Sequence, residues 1–482
     1  MKVFKGRASR GSMGGLFVKI VASLGPSSTD EELVLRMAEA GADGFRTNFA
    51  HGDPEVWARR IRAVRAAEEK LGRPLAMIGD LKGPSVRVGP MPEPLQLRRG
   101  DRVLVAPAPG GQPATVPVPY PSLFEAAEPG DEILIDDGRV RLLVVDRRGD
   151  ALECISQVDG SVEAGKNVAI RGKDLDAPLI DERDSMALKF AASEGFDFVG
   201  LSYVRDAGDV EEVRERLKRL GSDAWVIAKV ETLSALRNLD SIVEASDAVL
   251  VARGDLGIRL SLEEVPYYQK LIVEKCLEAG KPVIVATQFL ASMVESTVPT
   301  RAEVVDVNLA VVQGVDAIML TNETSVGKHP LEAVAWLKRI IDFAEERLLA
   351  NGFERVAERA RRGARGVDAC FARGVVELAE SLGAKLVLYS AMGRMAVKVS
   401  AFRPLTPAFV GTPSRRVARK LALLWGLHPF AVGSGDYEAG LREALDRCVR
   451  EGWVREGETV VAGYGFREPE QKIVIKRIGS RR

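Results

Sequence analysis

Two carboxylates and a lysine close two neighbouring apolar runs, a pattern that suits a divalent cation held beside an anion. Val226, Ile227 and Ala228 lead into Lys229-Val230-Glu231, and Ala248 to Ala252 lead into Arg253-Gly254-Asp255. The strand period of two puts Lys229 and Glu231 on one face. The stretch between the runs, Thr232 to about Ala245, reads as a helix, so the two strands are parallel. Glu231 and Asp255 then converge on one rim, next to Lys229. Hard cations such as Mg²⁺ take carboxylate oxygens, and the lysine suits an anion beside the metal. The plainer reading of the same residues is a structural ion pair at a barrel rim.

The elements that must position these groups repeat along the chain. Strand candidates lie at Val18 to Leu24, Gly44 to Phe49, Leu75 to Leu81, Phe196 to Tyr203, Val226 to Val230, Ala248 to Val251, Pro282 to Ala286 and Ala317 to Leu320. Amphipathic helical patterns separate them, as in Thr29 to Ala40 and Glu55 to Leu71 after Pro54. Eight βα units imply a closed (β/α)8 TIM barrel with its chemistry at the C-terminal rim. The residues at the strand ends are Arg46 and Asn48, Asp80 and Lys82, Ser202, Lys229 and Glu231, Asp255, Thr287 and Gln288, and Asn322 and Glu323. Barrel interiors are normally filled with branched apolar side chains. A rim of cations and paired carboxylates therefore reads as a site for a phosphorylated, anionic substrate with Mg²⁺.

The repeat breaks once. Residues 89–171 are rich in Pro and in short β-type runs, including Arg102 to Ala106, Glu132 to Ile135 and Arg139 to Val145, and read as a small all-β insert. Leaving from a strand's C-terminal end, such an insert hangs over the rim as a lid. The expected division is 16–88 plus 172–349 for the barrel, 89–171 for the lid, and 350–482 for an open, regulatory α/β domain. Residues 1–15 read as a disordered arm or a remnant from expression.

Composition excludes other classes. Lys+Arg and Asp+Glu both number 68, which gives no long-range attraction to nucleic acid or to acidic membranes. No apolar run is long enough to span a bilayer. Cys154, Cys276, Cys370 and Cys448 are scattered without a C-x-x-C pair, so neither a disulfide framework nor a zinc site is indicated and a cytoplasmic setting is expected. Six Asn and seven Gln in the whole chain are few thermolabile amides, which points to a thermophilic source.

Segments along residues 18 to 482 carry a resemblance. KIVASLGPSS (19–28), FRTNFAHG (45–52), GDLKGPSVR (79–87), IDDGRV (135–140), AKVET (228–232), VARGDLGI (251–258), ATQFLASM (286–293), PTRAEVVDV (299–307) and MLTNETSVGKHPLEAV (319–334) occur in one order. The sequence resembles the pyruvate kinase family. That resemblance implies phosphoryl transfer from phosphoenolpyruvate to ADP, giving pyruvate and ATP, in a homotetramer. It implies Glu231 and Asp255 as ligands of Mg²⁺ or Mn²⁺, and Lys229, Arg46 and Thr287 as catalytic. Arg46, Lys229, Gly254, Asp255 and Thr287 would bind the phosphorylated substrate, and Asn48, His51 and Arg87 the nucleotide.

The departures from the family carry expectations of their own. Potassium-dependent members hold K⁺ with an asparagine, a serine hydroxyl, an aspartate and a backbone carbonyl, near a glutamate. Asn48 and Asp80 stand at the matching positions, but the serine is Ala50 and the glutamate is Ser85. Asn48 and Asp80 are therefore read as vestigial cation positions, and K⁺ as not required. The family's effector loop supplies hydroxyls to a sugar phosphate. Here it reads Ser390-Ala391-Met392-Gly393-Arg394-Met395, so activation by fructose 1,6-bisphosphate is not expected. Two rival readings are a metal-dependent aldolase, which needs no nucleotide lid, and a non-enzymatic sugar-phosphate sensor, in which Lys229, Glu231 or Asp255 should have decayed.

Overall fold

The computed structural model describes residues 17–110, 114–176, 178–351, 354–361, 366–465 and 470–479. The arm expected at residues 1–15 lies outside the described residues. Eight parallel strands close into a barrel in sequential order: β1 Lys19–Leu24, β2 Gly44–Asn48, β3 Ala76–Asp80, β4 Phe198–Leu201, β5 Trp225–Val230, β6 Ala248–Ala252, β7 Val283–Ala286 and β8 Ala317–Leu320. Their apolar runs are buried on both faces, as parallel strands between a packed interior and an outer helix ring require. Val21, Ile78, Phe198, Ile227, Leu250, Ile284 and Met319 fill the interior, and Leu423 enters from the C-terminal region to join them.

Two expected elements differ. The helix expected over Thr232 to Ala245 is two, α1 Leu233–Arg237 and α2 Leu239–Ala245. Asn238 breaks them, because its side chain turns away to donate to the Arg205 carbonyl at 2.9 Å. Asp255 does not sit on a strand end. The chain turns into a helix, α3 Arg253–Arg259, directly after β6, which places Asp255 in its first turn.

The segment between β3 and β4 carries a six-stranded and a two-stranded sheet, with strands from Leu95–Leu97 to Val168–Ile170. It is not purely β, since Pro121–Ala126 forms one helical turn and a half begun by proline. After β8 the helix α4 Pro330–Asn351 packs back on the barrel. Beyond it a five-stranded sheet runs β11-β10-β9-β12-β13, with β9 Lys385–Tyr389, β10 Ala408–Thr412, β11 Leu427–Ala431, β12 Thr459–Tyr464 and β13 Lys472–Arg477, the last antiparallel. A buried ion pair fixes this region to the barrel base. Arg403 Nη2 lies 2.5 Å from Asp316 Oδ2, whose Oδ1 accepts from the Trp425 amide, and Trp425 stacks on Phe17.

Glu345 of α4 closes the same base. Its Oε1 accepts the amides of Phe17 at 3.1 Å and Val18 at 2.7 Å, and burial pushes its carboxyl up to about 7. The folded state therefore holds this proton at pH values where the unfolded chain has lost it. The associated stability is full below the unfolded value and is lost as pH rises through about 7. Glu345→Gln stays neutral throughout. Its stability relative to the parent should rise by about 1–3 kcal/mol between about pH 5 and 8, measured by denaturant unfolding at each pH; a pH-independent difference would contradict this.

Candidate active site at the barrel rim

The interior parity of each strand delivers one polar side chain to the rim. Two residues beyond the interior positions Val21, Ile78 and Ile227 stand Ser23, Asp80 and Lys229, and Arg46 and Ser202 share the parity on β2 and after β4. These groups are linked. Lys229 Nζ donates to Ser202 Oγ at 2.6 Å and lies 3.4 Å from Asp80 Oδ1 and 3.5 Å from Glu231 Oε2. Arg46 Nε donates to Asp80 Oδ2 at 2.9 Å, its Nη2 contacts the same oxygen, and its Nη1 reaches Ser23 Oγ at 3.3 Å. Gly200 makes the space for this carboxylate, since a Cβ there would stand 2.9 Å from Asp80 Oδ1.

Charge balance follows from the geometry. Burial acts to raise the Asp80 carboxyl, but Lys229 and then Arg46 outweigh it and hold it below the usual range. Burial likewise acts to lower the Lys229 ammonium, and Asp80, Glu231 and Asp255 together more than reverse that. Those carboxylates favour the charged form of Lys229, whose side chain is largely enclosed. Burial drives Glu231 up to about 7; Lys229 opposes this and Asp255 adds to it.

That last pairing bears on the metal. A buried carboxyl raised partly by a second carboxylate is a donor set whose repulsion a divalent cation relieves. Among the described residues no group of three or more His, Cys, Asp or Glu is arranged to hold an ion. The chemistry of the pair, two hard carboxylates that repel one another, fits Mg²⁺ with its remaining positions taken by oxygens of substrate and water. Glu231 is fixed from behind, because its Oε1 accepts the Tyr203 amide at 2.6 Å.

The other expected residues fall into two groups. Thr287 and Gln288 both take left-handed backbone conformations, at φ 72° and 58°. Such positions cost on the order of 1–3 kcal/mol each in non-glycine residues. Arg253 holds them there, donating twice to the Thr287 carbonyl while its Nη1 pairs with Asp306 at 2.7 Å. The Gly254 amide, expected to face the substrate, donates to Thr287 Oγ1 at 2.8 Å. The expected nucleotide residues lie across the rim. Asn48 Oδ1 accepts from its own turn at Ala50, Arg87 donates to the Gly165 carbonyl and to Ser85, and His51 is lowered by burial and then by Arg87 and Arg46. Lys82 is not part of the cluster; it pairs with Asp181 at 3.1 Å.

Four contributors escape a strand-end reading: Ser23, Tyr203, Asp174 and Arg259. Ser23 could have been found by extending the parity of β1. The other three act through backbone contacts and packing, which leave no residue-type pattern.

Fold and rim together define the class, a (β/α)8 barrel with a linked cluster of cations and carboxylates at its rim. Residues 17–334 match the pyruvate kinase barrel-domain family and residues 370–472 the pyruvate kinase alpha/beta-domain family. A pyruvate kinase of Aeropyrum pernix is 41% identical over 92% of this chain and 95% of its own length. One from Pyrobaculum aerophilum is 38% identical over 95% of this chain and 96% of its own. The crystal structure of pyruvate kinase from Pyrobaculum aerophilum superposes with a TM-score of 0.84 at 37% identity, covering 96% of this chain and 99% of that one. The chain belongs to the pyruvate kinase family, and is a phosphotransferase.

Proposed function

We propose that the rim cluster transfers a phosphoryl group between phosphoenolpyruvate and ADP, with pyruvate and ATP as products. The observation that carries this reading is the Lys229 ammonium, buried between Asp80, Glu231 and Ser202 with Arg46 on the far side of Asp80. Lys229 and Arg46 offset charge on the transferring phosphoryl, since this chemistry depends mainly on positioning and electrostatics. Glu231 and Asp255 would hold Mg²⁺, or Mn²⁺, which supplies further charge neutralisation when bound. Thr287, with the backbone at Gly254 and Asp255, would orient the substrate carboxylate. The Thr287 hydroxyl, which accepts from the Gly254 amide, keeps its own O–H free to donate to that carboxylate, whereas the Gly254 amide must leave Thr287 to reach it. Asn48, His51 and Arg87 face the nucleotide side. Mixing protein, phosphoenolpyruvate, ADP and Mg²⁺ should yield pyruvate; pyruvate release from a hydroxy-keto acid without nucleotide would favour the aldolase instead.

We assign residues 16–88 and 172–349 to the catalytic barrel, 89–171 to a lid and 350–482 to a regulatory domain, in a cytoplasmic enzyme from a thermophile. A homotetramer is supported by an exposed apolar helix face: the helix Arg301–Gln313 presents Val305, Leu309 and Val312 at helical spacing. No described helix is long and apolar enough to cross a membrane.

Independence from K⁺ is supported by what surrounds its family ligands. Asn48 is engaged by Ala50, the Leu81 carbonyl accepts from Ser202 Oγ at 2.8 Å, and Asp80 already faces Arg46 and Lys229. Each lost oxygen weakens a hard-cation site. In tetramethylammonium salts at constant ionic strength, added KCl should change turnover less than about twofold, whereas a tenfold rise would show that water completes a working site. The effector loop supports the second expectation. Ser390 and Met395 are buried and Met392 is exposed, which leaves few hydroxyls for a phosphate. Micromolar fructose 1,6-bisphosphate should leave the phosphoenolpyruvate saturation curve in place; a clear left shift refutes the assignment.

A further inference from the structure

The insert returns to the barrel through Arg171 to Asp174, and this exit touches both segments that bear the metal-directed carboxylates. Gly172 donates its amide to the Arg259 carbonyl at 3.3 Å, and Arg171 Nη1 reaches the Leu260 carbonyl at 3.4 Å. Lys173 turns the other way, to Glu128 and Asp131 of the insert, each at 2.9 Å. Asp174 stands where these connections meet. Its side chain is only 15% exposed.

Each oxygen of Asp174 has a defined partner. Oδ1 accepts the Leu233 amide at 3.1 Å and Oδ2 the Ser234 amide at 2.7 Å, at the start of α1. Leu233 follows Glu231 by two residues. Arg259 Nε lies 3.3 Å from Oδ1, and Arg259 ends the same helix that carries Asp255 in its first turn. The Arg259 guanidinium also lies over the Tyr203 ring, 5.3 Å from its centroid. Tyr203 in turn gives its amide to Glu231. One carboxylate thus binds the backbone behind Glu231 and, through Arg259, the helix of Asp255 and the residue that holds Glu231 from behind.

We infer that Asp174, acting with Arg259, is a positioning residue that couples the insert's exit to Glu231 and Asp255, so that the divalent cation and the insert's return segment order one another. The inference rests on the reading of Glu231 and Asp255 as metal ligands. A carboxylate that binds the backbone after one ligand and, through an arginine side chain, the helix of the other constrains their separation, and a hard cation is sensitive to that separation. Coupling of this kind is reciprocal: what the segment does for the metal, the metal does for the segment. A plain helix cap makes a different prediction. It lowers stability without changing the metal affinity of the molecules that remain folded.

The test uses the full chain, freed of metal, with Mn²⁺ as the probe and no substrate. Free Mn²⁺ is read by electron paramagnetic resonance, so turnover is not involved. Glu231→Gln must first weaken Mn²⁺ binding; if it does not, the metal assignment itself fails. Given that control, Asp174→Ala should weaken Mn²⁺ binding on the order of tenfold, with folding verified by circular dichroism. Arg259→Gln leaves the α1 amides capped, and should reproduce several-fold of that loss. Combined with Asp174→Ala it should add less than its separate effect. In the parent, Mn²⁺ should slow amide hydrogen exchange across 171–176, and Asp174→Ala should abolish this protection. Unchanged Mn²⁺ affinity in folded Asp174→Ala, fully multiplicative losses in the pair, or exchange at 171–176 indifferent to Mn²⁺ in the parent would each overturn the inference while leaving Glu231 and Asp255 as ligands.

Discussion

Lys229→Met should lower turnover on the order of 10³-fold or more, about 4 kcal/mol of transition-state stabilisation, while the barrel remains folded. The ammonium lies between two carboxylates of the cluster, 3.4 Å from Asp80 and 3.5 Å from Glu231. Methionine keeps most of the unbranched apolar stem, one atom shorter, but carries no charge. Arg46 cannot substitute, because its guanidinium is fixed on the opposite oxygen of Asp80 and on Ser23. The variant is not neutral for stability. Glu231 loses the partner that opposes its burial and its carboxyl rises further, so protonation rather than unfolding absorbs much of the change. A modest fall in melting temperature should accompany the large fall in turnover. Near-normal turnover in folded Lys229→Met protein would sink the catalytic assignment.

The second large effect belongs to Glu231→Gln. The amide removes one unit of metal-directed charge, yet its carbonyl oxygen can still accept the Tyr203 amide that now binds Glu231 Oε1. The fold is therefore expected to survive. The Mg²⁺ concentration for half-maximal activity should rise on the order of tenfold to a hundredfold, as losses of charge at hard-cation sites do. The profile with pH should also change. In the parent, a proton on Glu231 competes with the metal below about pH 7, where its metal-free carboxyl titrates. Apparent Mg²⁺ affinity should fall with acidification in the parent and much less in the variant. An unchanged Mg²⁺ titration would place the metal elsewhere.

The strand periodicity made most of the fold legible. All eight barrel strands lie where alternating and continuous apolar runs place them, because a parallel strand buried on both faces can hardly be written otherwise. Less legible was the passage from strand to helix at Ala252, since Arg253-Gly254-Asp255 contains no capping signal and α3 starts without a side-chain cap. Propensity also misjudged residues 232–245, where a tertiary contact of Asn238 outweighed continuous helical sequence. Within the site, residue types at strand ends identified Arg46, Asp80, Ser202, Lys229 and Glu231, which the structure joins directly.

The sequence by itself determined the eight βα units, the interruption after the third strand, and the polar character of one rim, because hydrophobic period and residue type are local properties. Tertiary structure alone decided which charges meet. The pairing of Arg46 with Asp80, the capture of the Gly254 amide by Thr287, and the ties of Asp174 to Leu233, Ser234 and Arg259 join residues 34, 33, 59, 60 and 85 positions apart. Contacts of that range depend on barrel closure and on the path of the insert, and a lone Asp or Thr in sequence carries no mark of the backbone amide it will face.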